Sequence, residues 1–491
     1  AESKEDKPAK IGDLALLGRE IRDLPWEVSG QRLIGREQFK IQKGAAALET
    51  WERVRFRNPL DTEANQWLST LYQRQGLLGD SDQAIERVLE RAKLGPADRA
   101  ETMALRGRNL ESRWTAAWRD EQDPATRQQI ALNSAALLES HKAYHDAYLT
   151  HLASFFAGIN ALAMAVVATE LAAKHEDTWI NSFAEGEEEA AAELGRLKRR
   201  RRDLPASIAV SIDASRLGKT ETDLWDQVTQ GDLAFLRGDA PDKVKAQYAR
   251  IGKEISPFQV GSVRDQLELF RALGVFGDCA AAALSVLPEA KDTPPPHTLV
   301  FTGHRVDAPG RKKPRFPASA VETAKAEIEA VIDAEVGKYG ASNVIGIAGA
   351  ASGGDILFHE ALMRRNIESL VYLALPPEDF VRESVKDAGP DWVARFYDLI
   401  KARPPRVLQK TADAPEWLPA RKDDEFYIWN RNNLWILSRG LANGGANMTL
   451  LALWNGEAGD GPGGTEDMVR QADTRGARIV RIGQGTIFPA V

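Results

Sequence analysis

The pattern of apolar residues changes once along this chain, at three consecutive prolines, Pro294 to Pro296. Before the prolines, long amphipathic stretches rich in alanine, leucine, glutamate and arginine indicate helices, and strand-like runs are few. After them, apolar runs of strand length alternate with helical patterns. Three prolines exclude helix and favour an extended connector, so the sequence predicts two regions of different fold class, joined by a linker at 291–297.

Length and composition exclude several classes of protein. A chain of 491 residues, 43% of them hydrophobic, is long enough for about three units of structure with sizeable cores. The net charge of -7 does not favour a polyanion, so we do not expect a nucleic acid as a partner. One cysteine, Cys279, and seven scattered histidines offer little for a metal centre, and we expect no metal.

The first region contains an internal repeat. The segment Ala47 to Pro59 aligns with Ala84 to Pro96 at an offset of 37 residues. Each copy starts on a small residue and ends on a proline twelve residues later, which is typical of the end of a tetratricopeptide unit. Between the copies, Glu63 to Gly76 supplies the partner helix and its turn. Helix pairs of this kind must stack to cover their apolar faces, so the sequence predicts a helical array.

The segment Leu152 to Thr169 has no charged residue and approaches the length of a membrane span. Seven of its eighteen residues are alanine or glycine, and Asn160 falls near its middle, so we interpret it as a buried helix pair within the array. The chain opens AESKEDKPAK, without an apolar signal core. We therefore expect a cytoplasmic protein that does not contact a membrane.

Three helical segments of the first region resemble a known family. They are Arg106 to Trp114 (RGRNLESRW), Phe155 to Ala163 (FFAGINALA) and the block from Trp225 to Asp239. They are similar to the TRAF-binding tetratricopeptide domain of apoptosis signal-regulating kinases and to its bacterial relatives, the TPR-sensor domains. The resemblance covers most of residues 30 to 290. It implies a helical domain that binds a protein partner, with homo-oligomers as a further possibility.

The second region predicts an α/β fold. Strand-length apolar runs occur at 299–303, 343–350, 369–376, 406–410, 448–456 and 477–483. Helical patterns fall between most of them, including 320–340 and 355–365. Near-continuous apolar strands separated by helices imply a parallel sheet that is covered on both faces. The fold class predicted for the whole chain is thus α + α/β: a tetratricopeptide-like array joined to a Rossmann-like sheet.

Three loops that lead from strands into following segments carry residues suited to binding an anion. They are Thr302 to Arg305, Ala351 to Asp355 and Gly461 to Asp467. Glycines let backbone N–H groups approach a phosphate, and a helix that starts at the loop adds its positive dipole end. Asp355 has two interpretations: it caps its own helix, or it accepts hydrogen bonds from a ribose. Carboxyl ends of parallel strands share one sheet edge, so the three loops together favour a nucleotide-like ligand.

At these loops the second region resembles the SLOG superfamily, the Rossmann-like group that includes the DprA and lonely-guy proteins. The motifs FTGHR, GAASGGDILFHEAL (Gly349 to Leu362) and PGGTEDMV (Pro462 to Val469) follow the family's order. The resemblance covers residues 297 to 488 and implies a nucleotide or a nucleotide-derived signal as ligand, with no other cofactor. The implied ligand-binding residues are Thr302, Gly303, His304, Arg305, Ser352, Gly353, Gly354, Asp355, Gly463, Gly464 and Thr465.

The sequence departs from the enzymes of that superfamily at the third loop. Members that cleave an N-glycosidic bond carry PGGxGTxxE, whereas here the loop reads PGGT and Met468 stands three residues after the threonine. Glu466 and Asp467 could replace the glutamate only if the helix begins at a different residue, and cleavage needs such a carboxylate. We therefore favour a protein that senses its ligand over one that cleaves it. Asn430 and Arg431 are second-rank candidates for pocket contacts.

Other motifs give weaker signals. Asp213 to Thr220 ends like a phosphate-binding loop but begins with aspartate instead of glycine, which argues against that function. His141 and His145 lie four residues apart without an acidic partner pattern. The acidic and basic runs of Glu185 to Asp203 are interpreted as a solvated helix, with an interaction patch as the alternative.

These patterns predict four segments and three functions in order of preference. The segments are a lead-in at 1–29, a helical domain at 30–290, the linker at 291–297 and a SLOG-like domain at 298–491. The first function is a sensor or adaptor that binds a nucleotide or nucleotide-derived signal and couples it to a partner protein. The family resemblances suggest that this signalling concerns bacterial stress or defence against phage. The second is a nucleotide N-glycosidase, and the third is a scaffold without a ligand.

Overall fold

The structure is a computed structural model of the chain. It describes residues 7–41, 44–217, 224–251, 257–289, 294–312, 314–413, 415–418, 427–456 and 464–488. The chain divides into two compact units. One consists of Ala1–Arg57 together with Pro294–Val491, and we call it the sheet unit. The other consists of Asn58–Thr293, and we call it the array unit.

Helices account for the described secondary structure before the prolines. They are α1 (Lys7–Glu20), α2 (Glu27–Ile41), α3 (Ala45–Arg57), α4 (Thr62–Arg74), α5 (Leu78–Leu89), α6 (Pro96–Trp118), α7 (Pro124–Asn133), α8 (Ala135–Thr150), α9 (Phe155–Lys174), α10 (Glu176–Asn181), α11 (Glu187–Arg216), α12 (Leu224–Leu236), α13 (Pro241–Ile251), α14 (Pro257–Ala272) and α15 (Gly277–Leu284).

The array unit contains the second copy of the predicted repeat and the helix between the copies, whereas the first copy lies mainly on α3, in the sheet unit. Helices α4 and α5 pack as a pair, and α6 packs on α5. Asp61 caps α4 by accepting a hydrogen bond from the Ala64 N–H at 2.9 Å, and Gly76 makes the following turn with φ of +75°. The second repeated alanine, Ala84, is fully buried in α5, and Pro96 opens α6. The prediction of a helical array is therefore confirmed.

The apolar segment at 152–169 forms one helix, α9, and not the predicted pair. Among the described helices α9 alone is long and apolar enough to cross a membrane, with a mean hydropathy of 1.7 in its most apolar window. That window is 83% buried, and α9 packs against α8 and α11. The charge-free sequence is therefore that of a core helix, as expected for the centre of a helical array.

The second part of the chain alternates strands and helices. Its elements are β1 (His297–Gly303), α16 (Val321–Tyr339), β2 (Val344–Ala348), α17 (Gly354–Arg364), β3 (Glu368–Leu373), α18 (Pro377–Ser384), α19 (Pro390–Ala402), β4 (Arg406–Val407), α20 (Tyr427–Gly440), β5 (Met448–Leu453), α21 (Thr465–Asp473) and β6 (Arg478–Ile482).

All six strands of the described sheet are parallel, in the order β4-β3-β2-β1-β5-β6. Every residue of β2 and β5 is buried, which explains their unbroken apolar sequences, because helices cover both faces of the sheet. The predicted fold class is confirmed. In the predicted linker, 291–293 lie outside the described residues, and His297 is already the first residue of β1.

Helices α1 to α3 group with the sheet and not with the array, whereas the sequence assigned 30–57 to the helical domain. Helix α1 packs against α20. Asp13 of α1 accepts hydrogen bonds from Arg406 at 2.9 Å and from the Trp435 indole at 2.6 Å. On α3, Glu49 pairs with Arg475 at 2.8 Å. The division of the chain in space thus falls at residue 57, inside the predicted helical domain.

Candidate functional site

The strand order places one crevice at the carboxyl edge of the sheet. From β1, the strands β2, β3 and β4 add on one side, whereas β5 and β6 lie on the other. Connections that leave neighbouring strands in opposite directions open a crevice beyond their carboxyl ends, and ligands of such sheets bind there. In this chain the crevice lies beyond Gly303 of β1 and Leu453 of β5, which are neighbours in the sheet.

The loop after β1 contributes Thr302 to Arg305. Its backbone is held across the crevice by the His304 N–H, which donates to the Leu453 carbonyl at 3.1 Å. The His304 ring contacts the Asn455 side-chain oxygen through Nε2 at 3.2 Å. Burial lowers the pKa of His304, and the contact with Asn455 only partly offsets this effect. A neutral imidazole at the crevice can accept or donate one hydrogen bond without adding charge.

The loop after β2 runs alongside the loop after β1. Arg305 and Gly353 form an antiparallel bridge, and the Val306 N–H donates to the Ser352 carbonyl at 2.9 Å. Gly353 has φ of +113°, and a Cβ there would lie 2.9 Å from the Val306 nitrogen. Only glycine allows this backbone conformation at so close an approach. The Gly-rich sequence therefore positions α17, which begins at Gly354.

Two predicted ligand donors are engaged by the end of α18. Both the backbone N–H and the hydroxyl of Ser352 donate to the Ser384 carbonyl, at 3.1 and 3.2 Å. The Arg305 guanidinium donates to the Glu383 carbonyl at 2.6 Å. The last carbonyls of a helix have no hydrogen-bond donor within the helix, and here Ser352 and Arg305 donate to them. In this structure Ser352 is buried, whereas the Arg305 side chain is exposed.

The Asp355 side chain binds the backbone of the loop that precedes it. Its Oδ2 accepts a hydrogen bond from the Ala351 N–H at 3.2 Å. Burial raises the pKa of Asp355 to about 7, although the Ala351 N–H and the charge of Arg305 act in the opposite direction. The carboxyl group therefore changes its protonation state near neutral pH, which is unusual for an aspartate. This contact ties Asp355 to the preceding loop and does not cap α17, whose N-cap residue is Gly353 and has no side-chain capping bond. The hydrogen bond to a ribose stays a prediction.

The third loop reaches the crevice through the start of α21. The hydroxyl oxygens of Thr302 and Thr465 are 3.4 Å apart. Thr465 is the first residue of α21, and Gly464 precedes it in extended conformation. Gly463 lies outside the described residues. The structure thus brings Thr302 and Thr465 together from positions 163 residues apart, as the resemblance implies.

The two acidic residues after Thr465 point to no catalytic arrangement among the described residues. Glu466 is exposed. Asp467 accepts hydrogen bonds from Arg470 and, at 2.7 Å, from the Gln471 amide, so its carboxylate is engaged on the surface of α21. Neither contact places a carboxylate beside the Thr302 hydroxyl.

The second-rank candidates on α20 have different surroundings. Arg431 forms an ion pair with Glu20 of α1 and donates to Gln409. This pair fastens α1 to α20. The side-chain oxygen of Asn430 is buried and lacks a hydrogen-bond partner. An unpaired buried acceptor is costly, so Asn430 is the stronger of the two as a site for a further polar contact.

Other motifs take structural roles. Asp213 lies inside α11, and Gly218 to Thr220 lie outside the described residues. In the basic run, Arg200 donates to His141 at 2.8 Å and Arg201 pairs with Glu170 at 2.7 Å, so these charges join helices of the array. Within the described part of the chain, no group of three or more histidine, cysteine or acidic residues is placed to hold a metal ion.

Sequence reasoning missed three residues around the crevice: Glu383, Ser384 and Asn455. The first two act through main-chain carbonyls, which carry no sequence signal. Asn455 follows β5 directly, and its position at the end of a buried strand was a usable signal.

Comparison with known families gives one match. A family model described as Tetratricopeptide Repeats-Sensor, TPR-S, matches residues 43–165. The match starts just before α3 and ends inside α9, so it supports the helical repeats and does not reach the sheet. No curated protein matches the chain. TPR-type repeats generally mediate protein interactions, and the match supports a helical repeat domain of this type in that part of the chain.

Proposed function

We propose that the protein is a sensor or adaptor whose sheet unit binds a nucleotide or nucleotide-derived signal in the crevice between β1 and β5. The resemblance of its loops to the SLOG superfamily supports this ligand class. The observation that carries the proposal is the meeting of Thr302 and Thr465, 3.4 Å apart, where the strand order reverses. This is the place at which doubly wound sheets bind nucleotides.

The chemistry of the crevice suits a phosphate group. Helix α21 begins at Thr465, beside Thr302, and the start of a helix presents N–H groups and a positive dipole end to an anion. Two hydroxyl groups beside that helix start can donate to phosphate oxygens. The exposed guanidinium of Arg305 lies on the adjoining loop and is able to leave the Glu383 carbonyl for a charged partner.

The ligand class can be tested with a panel of nucleotides, NAD and cyclic dinucleotides. We expect one class to raise the melting temperature, because a ligand at a hundred times its Kd adds about 2.7 kcal/mol to the free energy of unfolding. Thr465→Val removes a donor to phosphate and should raise the Kd about tenfold, as lost hydrogen bonds to charged groups do. Titration calorimetry of both proteins measures this change.

Thr474→Val is the matched control, because Thr474 lies just beyond the other end of α21 and donates to the Arg470 carbonyl at 2.8 Å. It should leave the Kd unchanged. If no compound of the panel binds the wild-type protein, the scaffold function takes the place of the sensor.

One observation favours the enzyme as the second candidate. Asp355 has a pKa of about 7 and lies on the loop beside the crevice, so it can exchange a proton near neutral pH. Release of a free base from the nucleotide panel, measured by chromatography, would support an N-glycosidase. Loss of that release in Asp355→Asn, with Glu466→Gln as a comparison, would identify which carboxyl group takes part.

The structure offers a route from the crevice to the repeats. Helix α21 starts at Thr465, and just beyond its end Arg475 holds Glu49 of α3 through two hydrogen bonds of 2.8 and 3.3 Å. Helix α3 belongs to the TPR-S match and continues along the chain into the array. A ligand that orders the start of α21 would thus also steady Arg475, and through its hydrogen bonds to Glu49 it would reduce the motion of α3.

This route predicts a result for hydrogen exchange. Binding of the active nucleotide should slow amide exchange in α3 of the wild-type protein. Arg475→Gln should abolish that slowing while the nucleotide Kd stays the same. Arg470→Gln, which removes an exposed charge from the same helix, should behave like the wild type. Equal protection of α3 in Arg475→Gln would refute this route.

A further inference from the structure

A second cavity lies within the sheet unit, apart from the crevice. It has a volume of about 340 Å³ and is enclosed by α1, α2, α3, the end of α20 and Arg475. Small residues are frequent in its lining, which includes Ala15, Gly18, Ala45, Gly444 and Gly445. None of the residues assigned to the crevice lines it. We call this space the arginine cavity, for the residues described next.

Three guanidinium groups line the arginine cavity together with the carboxylate of Glu49. Arg19 and Arg22, from α1 and the turn after it, and Arg475 all line the space together with Glu49. Arg475 already holds Glu49 through two hydrogen bonds. Arg22 reaches the same carboxylate only at 3.7 Å, which is beyond hydrogen-bond distance.

The remaining charges of the lining do not balance this excess. Arg53 also faces the cavity, but it is neutralised by the buried Glu27 at 2.5 Å. Glu52 is exposed at the edge of the cavity. Gln31 and Gln38 are buried and uncharged. Asp467 lies close enough to act on Arg19 but is held by Arg470 and Gln471.

The guanidinium groups are also partly removed from water. The Nε of Arg22 is buried and has no hydrogen-bond partner. Burial, followed by the nearby charge of Arg475, lowers the pKa of Arg19 to about 10, and burial lowers the pKa of Arg22 as well. Burial by itself raises the pKa of Glu49, but the hydrogen bonds and charges of the arginines outweigh it and the net shift is downward. A partly buried cation whose donors are not all hydrogen-bonded gains free energy when an anion joins it.

We propose that the arginine cavity binds a small polyanion with phosphate or carboxylate groups, held by Arg19, Arg22 and Arg475. Planar guanidinium groups bind both kinds of group through two parallel hydrogen bonds, and the cavity volume suits a small metabolite. The bound anion would supply an acceptor for the Nε of Arg22. This site is distinct from the nucleotide crevice, because its donors come from α1, from the turn after α1 and from just beyond the far end of α21.

The test uses inorganic pyrophosphate and citrate as probes, in separate titrations of the full chain by calorimetry. We expect at least one of them to bind the wild-type protein with a stoichiometry of one. Arg22→Gln should raise its Kd at least tenfold, since Arg22 is the donor with the fewest partners. Lys40→Gln, which removes an exposed charge from α2, is the matched control and should bind like the wild type. Tighter binding of pyrophosphate identifies phosphate as the preferred group, and tighter binding of citrate identifies carboxylate.

Thr465→Val separates the arginine cavity from the crevice. It should leave binding of the probe unchanged, even if it weakens binding of nucleotides. The proposal is overturned if neither probe binds, if Arg22→Gln binds as tightly as the wild type, or if Thr465→Val alone removes binding. If Arg22→Gln does not fold, Arg22→Lys takes its place. Lysine keeps the positive charge but lacks the planar guanidinium group that makes two parallel hydrogen bonds, so it is also expected to raise the Kd of the probe.

Discussion

Replacement of Gly353 by alanine is expected to lower the free energy of unfolding of the sheet unit by about 3 kcal/mol. Gly353 has φ of +113°, where residues with a Cβ are strained. The added Cβ would also lie 2.9 Å from the Val306 nitrogen and 3.1 Å from the His304 carbonyl oxygen. Both atoms belong to the backbone and cannot rotate away. The loops after β1 and β2 would have to separate, and the crevice would lose its shape.

Urea unfolding monitored by hydrogen exchange of β1 and β2 measures this effect within the sheet unit. Gly310→Ala is the matched control on the loop after β1. Gly310 also has a positive φ, +81°, but a Cβ there would meet nothing within 4 Å. It should therefore cost only about 1 kcal/mol, from backbone strain alone. Equal losses in the two variants would mean that the close approach at Gly353 contributes nothing.

The strands were predictable because burial on both faces leaves a direct mark on the sequence. The strand predicted at 448–456 corresponds to β5 at Met448–Leu453, and the strand predicted at 343–350 corresponds to β2 at Val344–Ala348. In both cases every strand residue is buried, so apolar residues continue without interruption. The prediction extends past the strand ends because Gly349 and Ala350 after β2, and Trp454 after β5, are also apolar.

The sequence did not predict that the three helices α1, α2 and α3 belong to the sheet unit. It depends on polar pairs between residues about four hundred positions apart, such as Arg406 with Asp13 and Arg475 with Glu49. Charged residues on an amphipathic helix are equally typical of a solvated face. The arginine cavity was missed for the same reason, since its guanidinium groups come from α1, from the following turn and from the end of α21.

The candidate crevice was predictable as a place but not as a set of contacts. Glycines and strand ends predicted that the three loops share one sheet edge, and the Thr302–Thr465 contact agrees. The partners of Ser352 and Arg305 are main-chain carbonyls at the end of α18. Any residue supplies such a carbonyl, so a sequence cannot show which donors it engages.

The second large effect is expected from Asp355 and depends on pH. Its pKa is raised from the ordinary aspartate value of 3.8 to about 7 in the folded protein, because burial disfavours the carboxylate. The unfolded chain loses its proton first as the pH rises, so the stability that the neutral carboxyl contributes declines from about pH 4 and is fully lost above about pH 7. Asp355→Asn carries no titrating group at this position. Its stability relative to the wild type should thus increase by about 2 to 3 kcal/mol between pH 5 and pH 8.

Urea unfolding of both proteins at pH 5, 6, 7 and 8 gives this difference directly. Asp391→Asn is the matched control, because Asp391 is the second residue of α19 just as Asp355 is the second residue of α17, but it is exposed. Its difference from the wild type should remain constant over the same range. A constant difference for Asp355→Asn would show that Arg305 and the Ala351 N–H keep the carboxylate charged in the folded protein.

If the crevice binds a nucleotide as proposed, the protonation state of Asp355 should also control the affinity for it. A neutral Asp355 adds no repulsion to a phosphate, whereas a charged one beside the loop opposes it. Nucleotide affinity of the wild-type protein should therefore fall as the pH rises from 6 to 8, and the affinity of Asp355→Asn should change much less. Calorimetric titrations at both pH values test this, with Asp391→Asn expected to follow the wild type. Parallel pH dependence in the wild type and Asp355→Asn would assign the effect to the ligand's own phosphate ionisation or to another group.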